Sequence, residues 1–199
     1  AIILRGLVLF FICAFILCLG FSGATFAQEQ DITISTNTTW ETGTYTYNNV
    51  WITNGATLVL NGKVTLNAAN LVIYAGSSVS ADGKGYPTGQ GSGAGTTQAW
   101  CGGSGAGYGG KGGIGIGQST IGQMYGSATT PVELGSGGGD GIGGKGGSGG
   151  GAIQLVISEV LTVNGVISAN GQDAPGSQSQ AGGGSGGSIY IVTKNLAGS

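Results

Sequence analysis

The chain has 199 residues, 46 of them Gly and only 3 Pro; 7% are charged, none is His, and the formal charge is −2. Average proteins carry about 7% Gly and about 25% charged residues, so this composition suits a scaffold better than an enzyme. The few prolines and the absence of a Gly-X-Y period exclude collagen, and the absence of any basic stripe excludes a nucleic-acid partner.

Residues 1–27 read as a signal peptide. Arg5 precedes an apolar run from Leu7 to Leu19, and small residues follow in Ser22-Gly23-Ala24 and at Ala27. The run falls short of the roughly 20 residues that span a bilayer, so membrane contact is expected only during export, with cleavage after Ala27 or, second, Ala24. An uncleaved anchor is the competing reading. Neither Cys13 nor Cys18 follows a small residue, which argues against a lipoprotein signal. Cleavage removes Arg5, Cys13 and Cys18 and leaves Cys101 as the single thiol, so an internal disulfide is excluded. Cys101, beside Trp100, reads as a small buried hydrophobe, and without His it has no base to make it a nucleophile.

Residues 28–83 read as the first coils of a stack with an N-terminal cap. The opening, Ile32-Thr33-Ile34 followed by Thr39-Trp40 and Gly43-Thr44-Tyr45, predicts a first strand and an entry turn that close one end. The stretches NVWITNGATLVLNG (49–62) and NLVIYAGSSVSADG (70–83) then align without a gap at an offset of 21 residues. Val50, Ile52, Leu58 and Leu60 fall on Leu71, Ile73, Val79 and Ala81, while Gly55/Gly76 and Gly62/Gly83 repeat the turns. A strand pair that cannot bury its apolar face alone does so when the next copy lies about 4.8 Å above it, so the fold class is predicted as an all-β, right-handed parallel β-helix, or β-solenoid.

From 84 to 151 the alternation gives way to Gly, with Trp100, Tyr108, Met124 and Tyr125 among scattered large residues. A free linker does not normally carry so many, so this is a long glycine-rich insertion expected to be ordered and docked, with Trp100 and Tyr125 largely buried. Residues 152–199 return to strands: Ala152 to Ile157 repeats in Ser188 to Thr193, with a Gly/Ser/Gln loop from Gln172 to Gly186 absorbing the difference in spacing. The pattern calls for a further turn and strand after Ser199, so these coils are expected to be a truncated part of a larger protein.

The order NVWITNGATLVLNG, AGSSVSADGKG, a tract with YGGKGG and ELGSGGG, then LTVNGVISANG and GGGSGGSIYIVT resembles the glycine-rich repeat regions of large secreted or surface-attached β-helix proteins, adhesin-like in character. The resemblance implies a secreted or cell-surface location and a scaffold or adhesive role, and it carries no catalytic residue across.

Gly105 to Lys111 and Gly139 to Lys145 each fit part of a phosphate loop, but Gly112 and Gly146 stand where Ser or Thr would hold magnesium. Gly135 to Ile142 approaches a calcium nonapeptide without a tandem copy; Asp82, Asp140 and Asp173 are the carboxylates a calcium site would use. Asn61, Asp82 and Asn170, each followed by Gly, predict a side-chain ladder at one corner. Asn37-Thr38-Thr39 is a glycosylation sequon.

The reading is therefore a non-catalytic extracellular scaffold without catalytic residues or cofactor, whose exposed aromatics Trp51, Tyr74 and Tyr190 would touch matrix, polysaccharide or a cell-surface partner. The alternative is a carbohydrate-active β-helix enzyme, a polysaccharide lyase or hydrolase, or a carbohydrate-binding module. Hydrolysis needs two carboxylates about 5 to 9.5 Å apart, so a groove with a facing pair favours the enzyme and one lined by Ser, Thr and Asn does not.

Overall fold

Strands with an apolar residue at every second position bury that face only if a like layer lies above and below. In a computed structural model, which describes residues 30–97, 100, 102–117, 120–176 and 180–199, the chain supplies such layers itself. The predicted signal segment 1–27 and Cys101 lie outside the described residues.

Seven strands form one sheet: β1 (Ile32–Ile34), β2 (Thr38–Ile52), β3 (Thr57–Ile73), β4 (Ser78–Ser80), β5 (Ala152–Val163), β6 (Val166–Ser168) and β7 (Ser188–Gly198). Every pairing between them is parallel, and the described residues contain no helix. The predicted register holds. Val50 pairs with Leu71, Ile52 with Ile73, Leu58 with Val79 and Ile153 with Ile189.

The register sorts the strands into successive layers. β2 lies beneath β3; above β3 come β4 at its start and β5 along the rest; β6 and β7 stand on those. Inward side chains then form columns through the stack, such as Val50–Leu71–Leu161 and Leu66–Leu155, all fully buried. Turns stack as well. Thr53, Tyr74 and Asn164 donate their N–H groups to Ile34, Ile52 and Ile73, each one layer down. At the lowest of these turns Asn54 and Gly55 both take positive φ (57° and 70°), which suits Asn-Gly and few other pairs.

Of the predicted cap, Ile32–Ile34 is strand β1, but Thr39 with Trp40 and Gly43 to Tyr45, expected to form an entry turn, lie within continuous strand β2, with a register shift between Glu41 and Gly43. Trp40, paired with Leu60, stacks on Tyr45 (ring centroids 4.4 Å apart) and lies 5.6 Å from Tyr47, and both tyrosines pack against the core. Aromatic rings here do what another layer of aliphatic side chains would otherwise do.

At one corner the layers are joined in different ways. The turn there is only Asn61-Gly62 in β3, but residues 81–151 in the next layer and 169–187 in the one after. Gly151 donates its N–H to Ala81, and Gly187 to Ala169, closing the base of each excursion. Residues 180–186, which the sequence presents as part of an ordinary loop, belong to the same glycine tract: Gly103, Gly147 and Ala106 donate to Gln180, Gly182 and Gly183.

Within the tract the backbone bonds follow a three-residue rhythm. Gly135 and Gly138 donate to Gly150 and Gly147; Gly147 and Gly150 donate to Gly182 and Ser185; Gly182 and Ser185 donate back to Gly139 and Ser136. Gly137 and Gly139, between and beside these, turn to Gln90 and Ser104 instead. A chain that meets the same neighbour at every third residue is an extended helix of three residues per turn, which has no internal hydrogen bonds and must find partners outside itself. Residues 135–139 are buried, so their N–H and C=O groups require such partners.

This arrangement overturns one expectation. Trp100 is 90% exposed and Met124 largely exposed, while Tyr108 and Tyr125 are half-buried. Backbone pairing, rather than burial of large side chains, organises the tract, and the glycine chains pack too closely to admit an indole between them.

Candidate functional site

The outward faces of β3, β4 and β6 form a groove of about 540 Å³ beside the turns, lined by Thr57, Ser78, Ser80, Asp82, Asn164 and Ser168, among others. The parallel register produces it: Thr57, Ser78 and Val166 make one column, and Val59, Ser80 and Ser168 the next. Small hydroxyl residues outside the apolar columns leave a shallow trough. The Ser78 hydroxyl donates to Thr57 Oγ1 at 2.9 Å, and the Ser168 hydroxyl to Asp82 at 2.8 Å. Beneath the groove Ser77 is buried, and its hydroxyl has no protein partner.

Asp82 is the groove's single carboxylate. Its Oδ1 accepts the Asn170 N–H at 2.6 Å, and its own N–H donates to the Ser80 hydroxyl at 3.2 Å. Burial pushes the carboxyl up, but the bonds from Asn170 and Ser168 outweigh it and hold Asp82 below the usual carboxylate value. The group therefore works as a corner clamp. Two facing carboxylates, the geometry a glycosidase needs, are not present in this groove.

Asp140 is engaged in the tract. Lys145 pairs with its Oδ2 at 2.7 Å, while Thr88 and the Gly146 N–H donate to its Oδ1 at 2.6 and 3.1 Å. Lys145 first, then Thr88, hold its carboxyl low. Asp173 is exposed, and among the described residues no three acidic, Cys or His side chains gather where a metal could bind. The phosphate-loop matches are consumed in the same way. The N–H groups of Gly105, Ala106, Gly107, Tyr108, Gly139, Asp140, Gly141 and Gly144 donate to protein acceptors, so most of the matched amides are already engaged.

Both carboxyls give acid sensitivity with a definite sign. Each sits below its unfolded value of about 3.9, so each contributes stability above that pH and loses it as pH falls through the lower folded value. Melting temperature is expected to drop on acidification below about pH 4, and less steeply in Asp82→Asn and Asp140→Asn.

The predicted ladder of Asn61, Asp82 and Asn170 takes a different form. Asn61 donates to Glu41 at 2.6 Å, and Asp82 reaches the Asn170 backbone, so carboxylates alternate with donors instead of amides stacking. An amide ladder exists elsewhere: Asn70 donates to Asn49 at 2.9 Å and Asn49 to Asp31 at 2.8 Å.

Of the aromatic candidates, Trp51 is half-buried and lies in register with Val72 and Thr162; Tyr74 is exposed just beyond β3. Tyr190 stands in a different column, above Gln154 and Thr65. Trp51 and Tyr74 share one end of the strands and Tyr190 does not join them.

Sequence reasoning read Tyr108 and Tyr125 only as anchors. They meet edge to face at 4.8 Å beside a cleft of about 300 Å³ that Met124 also lines. Tyr125 donates to the Leu134 carbonyl and accepts from Ser136, whose hydroxyl also receives the Gly93 N–H; burial pushes the Tyr125 phenol up. The partners Leu134 and Ser136 sit in a stretch where no periodicity flags them. No family model, curated protein or solved structure matches the chain.

Proposed function

We propose that the chain is a right-handed parallel β-helix whose glycine tract buttresses one corner, and that it serves as a non-catalytic extracellular or cell-surface scaffold with an adhesive role, exported by residues 1–27 and forming one module of a larger protein. The observation that carries this reading is the commitment of polar groups to the fold. The carboxylates of Asp82 and Asp140 and most amides of the phosphate-loop matches hold corners and neighbouring chains. The partner would be matrix, polysaccharide or a cell-surface molecule.

Carbohydrate binding without turnover is the second reading, favoured by the hydroxyl-lined groove over Ser77. Incubation with a panel of acidic and neutral polysaccharides, followed by assays for reducing ends and unsaturated products, is expected to show no turnover. Turnover abolished by Asp82→Asn, or by replacing any other single acid, would overturn the non-catalytic assignment. Saturable binding of one polysaccharide, weakened by Ser78→Ala with Ser168→Ala, would place the carbohydrate contact in the groove.

A further inference from the structure

The groove over β3, β4 and β6 opens at the side of the stack. Leu58 and Val79 are buried in the core, so by strand alternation Thr57, Ser78 and Ser80 point outward, and the trough they form runs across the layers rather than at either end. Sugar hydroxyls both donate and accept hydrogen bonds, and a surface that holds them must offer both. The Ser78 hydroxyl is spent on Thr57 Oγ1, which leaves the Thr57 hydrogen to donate and the Ser78 oxygen to accept. On the other side the Ser168 hydroxyl is spent on Asp82, and the Ser80 oxygen receives the Asp82 N–H, so acceptors predominate there. Ser77 borders the groove at 1% exposure, and the fold gives its hydroxyl no partner. A buried hydroxyl left unpaired is costly, which favours a polar occupant beside it.

Charge narrows the class of that occupant. Asp82 is the one ionisable group among the lining residues, it is exposed, and its lowered carboxyl is anionic at neutral pH. A uronate or sulfate laid in the groove meets like charge with no Lys or Arg in the lining to offset it. No aromatic ring lines the groove either, so affinity must come from hydrogen bonds repeated from layer to layer rather than from stacking on a ring. We propose that the groove selects an uncharged polysaccharide laid along the stack, one sugar unit to a layer, and rejects chains of uronate or sulfated sugars. The layers of a parallel ladder lie about 4.8 Å apart, close to the advance of one pyranose unit in an extended chain, so the Thr57–Ser78 and Ser80–Ser168 columns meet equivalent hydroxyls on successive units. Asp82 accepts from a hydroxyl of the bound chain and repels an anionic one. The inference rests on the carbohydrate reading above and adds its selectivity and its direction.

The test is titration calorimetry of the full chain with fragments of cellulose, mannan and xylan, from disaccharide to hexasaccharide, and with galacturonate and sulfated oligomers of the same lengths. The expected result is saturable binding of at least one neutral series, tightening with length until the three layers of the groove are covered and then levelling off. Every acidic series is expected to bind at least tenfold more weakly, with the gap narrowing at high salt. Thr57→Val, which keeps the shape and removes the hydroxyl, is expected to weaken neutral binding at least threefold with little change in melting temperature. Asp82→Asn is expected to narrow the gap between neutral and acidic chains at least tenfold, whereas Asp173→Asn, at an exposed carboxylate outside the groove, leaves it unchanged. An acidic series that binds as tightly as the best neutral one overturns the inference and leaves carbohydrate binding standing. Neutral binding that Thr57→Val does not weaken does the same, because it places the sugar elsewhere. Binding of no series overturns both.

Discussion

Gly138→Ala is expected to open the glycine tract while leaving the parallel layers folded. Gly138 lies buried where its chain passes the segment around Gly182, and a methyl group built there falls on the Gly182 carbonyl. The obstruction is backbone, which cannot swing aside as a side-chain tip can. Overpacking of a filled interior costs about 1–3 kcal/mol and sometimes more. Here it also strains the bonds Gly138 makes in both directions, to the Gly147 carbonyl and from the Gly89 N–H. Gly113 supplies the control, because a methyl there meets nothing within 4 Å and its φ is not positive. Gly113→Ala is expected to be neutral, or to stabilise by about 0.4–1 kcal/mol through the lower entropy of the unfolded chain. Hydrogen exchange decides the matter. In Gly138→Ala the amides of 85–97, 102–107 and 135–151 are expected to exchange faster while those of β2 and β3 stay protected. Unchanged protection in that variant would show that the tract does not depend on close backbone approach.

The parallel layers were legible in the sequence because side chains carry the information. Val50 and Leu71, or Ile153 and Ile189, announce a shared column by chemistry and spacing alone. The first strand Ile32–Ile34 was legible for the same reason, whereas the lid of Trp40, Tyr45 and Tyr47 was not: the residues read as an entry turn lie inside strand β2. The tract was not, because glycine has no side chain with which to mark a partner, and the partner of Gly138 could have been any other glycine. What decides it is the need to satisfy buried amides in a three-residue rhythm, a condition met by whole chains at once. Trp100 was misjudged on that account: size alone predicts burial, but a turn at φ 69° outside a backbone-bonded bundle gives an indole nothing to enter. Asp82 and Asn170 were placed at one corner from the sequence, but the form of their contact was not legible, since the Asn170 N–H that Asp82 accepts comes into reach only when the chain between them leaves and returns at that corner.

Leu71→Ala is expected to destabilise the layers by about 2–5 kcal/mol, whereas Leu196→Ala, in the same column, is expected to cost well under half as much. Leu71 is enclosed by Val50 below and Leu161 above and is fully buried, so its truncation leaves a cavity that neither rigid neighbour can close. Leu196 has Leu161 beneath it and solvent above. Its truncation forfeits contacts on one side only, and water fills the space. Chemical denaturation of each variant, followed by far-ultraviolet circular dichroism, gives both free energies on one scale. Leu161→Ala extends the comparison, because Leu161 touches both residues; combined with Leu71→Ala it is expected to cost less than the sum of the two, since adjacent cavities share walls. Strict additivity would mean that the two leucines do not share a column. Equal losses for Leu71→Ala and Leu196→Ala would mean that β7 is already covered in solution, and that the apolar edge is an interior like the others.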